Sequence, residues 1–406
     1  MNRQKYNFMS LLAQTINVNF KGQLTEPVEW EKILFLAQKH SLLALIYEKA
    51  SEDNAFLESK EAKEYFARVM VIVVEQTRRT QAFLKLYREF ERAGVYPIVM
   101  KGIICRDMYG KYADDRPSSD EDILIQKQEY LKVKDVLVSC GFRPEIEDVT
   151  DFQMNEIQEI CFTDNESGLH IEVHFNPIGV ENDFRKNMND YFKNVFERII
   201  YINIQNQKIA TMSYTDHMIF LVLHAFKHLA SSGFGMRQTL DILLFKKKYG
   251  AYIDWHYVEN VLEDVKADKF YNDLLNIGNN YMGFSFECKK QSKYVQELLD
   301  DILRSGTFGL NSQAQITSTQ MVFAAMKKRK SKNSIETIIR AIFPGTEFFL
   351  KEEPQIENKP WLLLKCWIKR WLRFVKHNKQ QGGTLAYESV KVGKKRIELL
   401  KKYDVL

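Results

Sequence analysis

The spacing of apolar residues changes along the chain and divides it into three parts. In the first part, apolar side chains recur three and four positions apart, which predicts helices with one buried face. These helices are predicted over residues 28–37, 42–50 and 56–93. The last segment is long enough that we expect a kink or a break inside it, and Gly94 just after it suits a helix C-cap.

The second part has short apolar runs bounded by turn residues, which is typical of strands. Strands are predicted over 96–100, 123–125, 157–162 and 169–175, with a hairpin over 198–204 and 208–212 and helices at 103–109 and 129–140. Helical spacing returns in the third part, from Tyr214 onward. The pattern therefore predicts an α+β fold, with a small mixed β-sheet flanked by N-terminal and C-terminal helical regions. The three regions are predicted at residues 1–94, 95–212 and 213–406.

Composition restricts the class of protein without identifying it. The 406 residues are enough for two or three domains, and a hydrophobic fraction of 45% is ordinary for a globular protein. The formal net charge of +5 is small for this length and does not require a nucleic-acid partner. Five scattered cysteines without a C-x-x-C pair argue against a disulfide framework and favour a cytoplasmic location. We expect no signal peptide and no membrane-spanning segment.

The clearest chemical signal is a pair of aspartates at the start of a predicted strand. Asp120 and Asp122 stand two positions apart, so they project from the same face, while Glu121 points away from them. Two like charges so close are costly unless a cation lies between them. Because Mg²⁺ takes oxygen ligands and bridges substrate phosphates, the pair predicts a magnesium site.

A phosphate site is expected beside such a metal. The strand over 96–100 ends at Lys101 and Gly102 and runs into a short helix. A glycine at this junction lets backbone N–H groups approach an anion, and a helix N-terminus favours negative charge. Lys101 and Arg106 add positive charge nearby.

A third carboxylate is expected on a neighbouring strand. Polar and apolar residues alternate over 169–175, which puts His170, Glu172 and His174 on one face. Glu172 is suited there to hold a metal or to take a proton from an attacking hydroxyl. His174 is interpreted as a supporting residue, because imidazole suits zinc better than magnesium. The alternative of a zinc site would use four histidines: His170, His174, His224 and His228.

The order of strand, glycine, short helix, Asp-x-Asp strand and later acid resembles the DNA polymerase β-like nucleotidyltransferase superfamily. The closer resemblance is to its bacterial uncharacterised nucleotidyltransferase family, over about residues 25–375. The residues that carry the resemblance are Lys101, Gly102, Tyr109, Arg116, Pro117, Asp120, Asp122, Glu172, His174, His224, His228, Arg237 and Asp241.

The resemblance implies Mg²⁺-dependent transfer of a nucleoside monophosphate from a nucleoside triphosphate, such as ATP, to a hydroxyl group. It implies two Mg²⁺ ions, about 3.5–4 Å apart, held by the catalytic residues Asp120, Asp122 and Glu172. Nucleotide contacts are implied for Lys101, Gly102, Arg106, Arg116, Ser119, Lys227 and Arg237. The acceptor is unknown, and a small molecule or a protein is favoured over nucleic acid.

The chain departs from the superfamily pattern at Ile103, which stands where the turn serine is found, and in a longer loop before Asp120. An alternative function therefore stays open: a catalytically weak or inactive nucleotidyltransferase-fold protein that acts as a nucleotide sensor or partner-binding module.

The segment 361–377 combines tryptophans with lysines and arginines. It is interpreted as an amphipathic helix that packs on the C-terminal helices, with a membrane or polyanion surface as the alternative.

Overall fold

The computed structural model describes residues 2–146, 159–178, 188–230, 233–289, 292–306, 361–369 and 395–404. Within them, helices precede and follow a small sheet, which confirms the α+β class. The N-terminal helices are α1 (Arg3–Ile16), α2 (Trp30–Lys39), α3 (Leu43–Ala50), α4 (Asn54–Leu57) and α5 (Lys60–Arg92). The break expected within 56–93 lies near its start, because α4 ends at Leu57 and the Ser59 hydroxyl caps α5 by accepting from the Ala62 amide.

Five strands form the central sheet, in the order β1–β2–β5–β4–β3. They are β1 (Ile98–Val99), β2 (Asp120–Leu124), β3 (Arg143–Pro144), β4 (Glu159–Asp164) and β5 (Leu169–His174). The strands β2 and β5 are parallel and the other pairs are antiparallel, so the sheet is mixed, as predicted. The predicted hairpin is confirmed as β6 (Ile200–Ile204) and β7 (Gln207–Thr211).

Helices connect and follow the strands. Helix α6 (Ile103–Asp107) lies between β1 and β2, and α7 (Tyr130–Ser139) between β2 and β3. After the hairpin come α8 (Tyr214–Ala230), α9 (Met236–Tyr249), α10 (Trp255–Asp264), α11 (Asp268–Met282) and α12 (Val295–Ser305). Among the described residues, no helix has the length and apolar character needed to cross a membrane.

The apolar face of the sheet packs against α5 and α7. Ile123, Phe162 and Val173 from three adjacent strands are each 0% exposed and share one cluster with Phe83 and Leu137. Burying each such side chain contributes about 1.5–3 kcal/mol. Because strand side chains alternate between faces, this burial turns the neighbouring polar positions to the opposite face.

The chain divides into two compact units, which are described separately. The first comprises the described residues of Met1–Phe226 and Gly235–Leu303 and contains the sheet. The second comprises those of Lys227–Phe234 and Arg304–Leu406, in which the buried Arg396 donates to the carbonyl oxygen of Leu229 over 2.7 Å. The division of the sequence at residues 94 and 212 stays a proposal. Of the basic aromatic segment, 361–369 is described and helical, and the rest lies outside the described residues.

Buried polar contacts hold the loop that leads into β2. Arg116 donates from Nε and Nη2 to the two carboxylate oxygens of Asp241 in α9, over 2.8 and 2.5 Å. The hydroxyl of Tyr109 donates to the same carboxylate over 2.9 Å. The Ser118 amide donates to Gln76 Oε1 of α5 over 2.7 Å. Since a two-point guanidinium–carboxylate contact fixes direction as well as distance, the loop enters β2 at a defined position.

We expect Asp241→Ala to lower the free energy of unfolding by about 3–5 kcal/mol, since it leaves the buried charge of Arg116 without its carboxylate. Urea unfolding followed by circular dichroism measures the change. Asp107→Ala is the control, because Asp107 pairs with Lys248 at partly exposed positions, where an ion pair contributes about 0–1 kcal/mol. Equal unfolding free energies for the two variants would contradict a stabilising role of the Arg116–Asp241 pair.

Candidate functional site

The polar face of the sheet carries acidic and imidazole side chains in register across three strands. Asp122 of β2 lies opposite Glu172 of β5, and His174 of β5 lies opposite Glu159 of β4. The cause is that β2 and β5 both turn their apolar positions to the same core, so that their polar positions share the other face. Asp122 and Glu172, predicted as site residues from two distant segments of the sequence, are therefore neighbours.

Asp122, Glu172 and His174 form a group of possible metal ligands within the described part of the chain. One ligand atom from each lies within 4.8 Å of the others. His174 Nε2 is 3.2 Å from Asp122 Oδ1 and 3.6 Å from Glu172 Oε2. The side chains of Asp122 and His174 are 7% and 5% exposed, whereas that of Glu172 is 25% exposed. The group is thus largely closed to water, and Glu172 forms its accessible side.

Burial and mutual contact shift the protonation of all three groups. Burial alone lowers the pKa of His174, but the Asp122 and Glu172 carboxylates outweigh it and raise the pKa to about 9. Burial raises the pKa of Glu172 above its ordinary value, and the charge of Asp122 adds to this. For Asp122, burial acts to raise the pKa, but the Lys101 ammonium and His174 outweigh it and hold the pKa below its ordinary value. Positive charge from Lys101 and His174 keeps Asp122 ionised, and a divalent cation held there would have the same effect.

Asp120 lies on the same face as Asp122, opposite His170 in the register. Its carboxylate accepts hydrogen bonds from Ser119 Oγ over 3.1 Å and from Ser118 Oγ over 3.4 Å. It is not part of the close group of three ligands. The structure thus brings two of the three predicted acids together and places the third beside them on β2.

Lys101 lies at the same site. Its Nζ is 3.8 Å from Asp122 Oδ1, 2.7 Å from His224 Nε2 and 5.4 Å from the centre of the Phe220 ring. An ammonium group donates and cannot accept, so in this contact His224 accepts through Nε2. The contacts with His224 and Phe220, both on α8, hold the ammonium next to the acidic face.

The glycine turn before α6 binds a carboxylate group of the protein itself. The Ile103 amide donates to Glu121 Oε2 over 2.7 Å, and Arg106 Nη2 donates to Glu121 Oε1 over 2.5 Å. Gly102 has φ +57°, and a Cβ added there would lie 1.8 Å from Glu121 Oε2. Burial raises the pKa of Glu121, while Arg106 and the Ile103 amide act in the opposite direction. The turn and Arg106, both buried, therefore bind a carboxylate of β2, and phosphate contacts of Gly102 and Arg106 stay predictions.

The other predicted nucleotide contacts have separate positions. Arg116 is 3% exposed and paired with Asp241. Arg237 Nη1 donates to the carbonyl oxygen of Pro117, and Ser119 contacts Asp120. Lys227 belongs to α8 and lies in the second unit. Nucleotide contacts of these four residues stay predictions.

The alternative zinc site is not assembled in the described residues. Of the four histidines proposed for it, His174 is the one that belongs to the group of possible metal ligands. His170 is exposed and its Nδ1 lies 2.9 Å from Thr163 Oγ1, while His224 contacts Lys101. In the sheet register, His170 lies opposite Asp120, whereas Glu172 lies opposite Asp122.

Sequence reasoning did not single out Glu121 or Glu159, and it interpreted His174 only as a supporting residue. For Glu159 a signal exists, because it alternates with the apolar Ile160 and Phe162 on a predicted strand, which predicts that it lies on the polar face. For Glu121 none exists, since its partner Arg106 is brought to it by the packing of α6 against the sheet.

Two cavities in the first unit lie away from the polar face of the sheet. One of about 460 Å³ is lined by residues that include Lys246, Trp255 and Phe286, and one of about 510 Å³ by residues that include Tyr257 and Asp264. Neither is lined by the acidic residues of the sheet.

Comparison with known proteins identifies a family. A family model described as uncharacterised nucleotidyltransferase matches residues 26–283, which is more than half of the chain. The matched segment includes the sheet, the loop before β2 and helices α8 and α9. No curated protein matches the chain. No solved structure matches it either.

We expect Gly102→Ala to destabilise the protein by at least about 2 kcal/mol more than Gly110→Ala. The added Cβ displaces Glu121, which leaves the buried charge of Arg106 without its carboxylate. Gly110 is the control for a positive φ without a clash, since it has φ +59° and no atom within 4 Å of an added Cβ. Its substitution tests positive φ without a clash, at a cost of about 1–2 kcal/mol. Thermal unfolding of the two variants gives the difference. Equal stabilities would show that the glycine turn does not need to admit Glu121.

Proposed function

Because the chain belongs to the uncharacterised nucleotidyltransferase family, we propose that it transfers a nucleoside monophosphate from a nucleoside triphosphate to a hydroxyl group of an acceptor. The observation that carries this proposal is the pairing of Asp122 with Glu172 on adjacent parallel strands, with Asp120 on the same face. We also propose that the chain is a bacterial member of the DNA polymerase β-like superfamily. The order of glycine turn, Asp-x-Asp strand and later acid supports this placement.

The donor atoms at the site fit divalent cations. Asp120, Asp122 and Glu172 offer carboxylate oxygens, the ligands that Mg²⁺ prefers. Asp122 and Glu172 both belong to the close group of possible ligands, so a cation held by both would relieve the repulsion between them. When bound, two Mg²⁺ ions would neutralise phosphate charge and promote ionisation of the acceptor hydroxyl.

The proposed reaction is an in-line displacement at the α-phosphorus. The acceptor oxygen forms a bond to the α-phosphorus. The bond between the α-phosphorus and the oxygen that bridges to the β-phosphate breaks, and pyrophosphate leaves. Glu172, on the accessible side of the group, holds a cation or takes the hydroxyl proton. As in other phosphoryl transfers, positioning and charge neutralisation supply most of the rate gain.

Lys101 is the favoured phosphate contact. Its ammonium lies beside Asp122 and is positioned by His224. The guanidinium groups of Arg106 and Arg116 are instead paired with buried carboxylates. Ser119 is proposed as a second contact, because it precedes Asp120 at the exposed end of the loop.

The acceptor is proposed to be a small molecule or a protein hydroxyl. The net charge of +5 over 406 residues supports this choice over nucleic acid, whose binding depends on many phosphate contacts.

Nucleotide sensing, or binding of a partner, without transfer is the second candidate function. One observation favours it: the Ile103 amide donates to Glu121 and is therefore not available to a phosphate. This function predicts Mg²⁺-dependent nucleotide binding without release of pyrophosphate.

Asp120→Ala and Asp122→Ala are each expected to reduce nucleotidyl transfer by at least about 100-fold, because the triphosphate loses its metal-mediated charge neutralisation. Transfer is measured with a panel of nucleoside triphosphates labelled at the α-phosphate, with Mg²⁺ and a cell extract as the source of acceptors. Asp135→Ala is the control, because Asp135 is an exposed acid on α7.

Three outcomes are distinguishable in this assay. Loss of transfer in both site variants, with Asp135→Ala unchanged, supports the proposed reaction. Equal transfer by Asp122→Ala and the native protein removes the acidic face from the reaction. Nucleotide binding by the native protein without any pyrophosphate release selects the sensor function.

A further inference from the structure

His174 occupies an unusual position for a buried histidine. It is 4% exposed, and neither ring nitrogen makes a hydrogen bond of acceptable geometry. Nevertheless Nε2 points into the acidic group, 3.2 Å from Asp122 Oδ1 and 3.6 Å from Glu172 Oε2. A buried polar atom without a hydrogen bond costs about 1–3 kcal/mol, and in a native structure such an atom calls for an explanation.

The distances match those between ligands of a single ion. Ligand atoms about 2.1 Å from a metal lie roughly 3.0 Å apart at octahedral angles and 3.4 Å apart at tetrahedral angles. The separations from His174 Nε2 to the two carboxylates fall close to this range. Once His174 has lost its ring proton, the three donor atoms lie close enough together to contact one ion.

The second ring nitrogen is also directed toward a carboxylate. His174 Nδ1 is 3.9 Å from Glu159 Oε2 on β4. Histidines that bind metals commonly present their other nitrogen to a carboxylate or carbonyl, which fixes the ring and its tautomer. At this distance Glu159 makes no hydrogen bond to the ring and acts on His174 through its charge.

We propose that Asp122, Glu172 and His174 form a mixed oxygen–nitrogen site that binds a divalent first-row transition metal in preference to Mg²⁺, in the absence of nucleotide. The chemical reason is that imidazole suits transition metals, whereas Mg²⁺ prefers oxygen ligands and retains several waters. The side chains of Asp122 and His174 are nearly inaccessible to water, which disfavours a heavily hydrated Mg²⁺ at this position. Asp120, outside the group, stays available for a second ion. The inference rests on the proposed function for the use of the metal, but its binding is measured separately.

Mn²⁺ is the probe, added to the full-length protein after treatment with a chelator and without nucleotide. Electron paramagnetic resonance of free Mn²⁺ counts the bound ions, and we expect one tight site per chain. About a tenfold excess of Mg²⁺ should leave most of that Mn²⁺ bound. Electron spin-echo measurements should show modulation from a ¹⁴N nucleus, because the proposed site includes a ring nitrogen.

His174→Ala is expected to weaken Mn²⁺ binding at least tenfold and to abolish the ¹⁴N modulation. His170→Ala is the matched control, since His170 is on the same face of the same strand but outside the ligand group. It should bind Mn²⁺ like the native protein. Circular dichroism shows whether each variant is folded, and the Mg²⁺ competition and ¹⁴N signal of the native protein test the proposal without any variant.

Displacement of Mn²⁺ by equal Mg²⁺, absence of ¹⁴N modulation, or undiminished binding by folded His174→Ala would each overturn the inference. The last result would mean that His174 serves only as a positively charged neighbour of the acids. These outcomes are separate from those of the transfer assay. A protein that transfers nucleotides with Mg²⁺ but fails the Mn²⁺ test retains the proposed function, and one that binds Mn²⁺ without transfer retains the metal site.

Discussion

The parallel register between β2 and β5 is the constraint on which the whole site depends. It sets Asp122 beside Glu172, although 50 positions separate them in the sequence. Since side chains alternate along a strand, a slip of one residue would carry Asp122 into the core and bring an apolar residue out. The register is held by the opposite face, where Ile123 and Val173 are 0% exposed. The hydrophobic core on one side of the sheet therefore positions the charged groups on the other.

The polar contacts around β2 add to this constraint. The loop before the strand is fixed by Arg116 and Asp241, and the middle of the strand is tied to α6 through Glu121 and Arg106. Each contact places a charge inside the protein, where it is stable only with its partner present. The acidic face is thus presented by a segment with little freedom to rearrange, which suits chemistry that depends on positioning.

The sequence allowed the alternating strands to be predicted, and with them the shared face of Asp120 and Asp122 and the position of Glu172. These predictions depend on local periodicity, which a single segment contains. The partners of Arg106 and Arg116 depend instead on contacts between distant segments: 125 positions separate Arg116 from Asp241. An arginine near an acid pair has the same appearance in a sequence whether it faces a phosphate or a buried carboxylate. Helix α1 was not predicted either, although its buried side includes Phe8, Leu11 and Leu12.

Glu121 is a structural residue that lies between two residues of the proposed site. It is flanked by the two aspartates of the proposed site, yet its carboxylate is 1% exposed and is held by Arg106 and the Ile103 amide. A mutagenesis screen that replaced every acidic residue and measured only product formation would find the same loss of activity at Glu121 as at Asp120 and Asp122. The loss would reflect a scaffold that no longer holds its shape, not a missing participant in the reaction. Separating the three acids requires a measure of foldedness beside each rate.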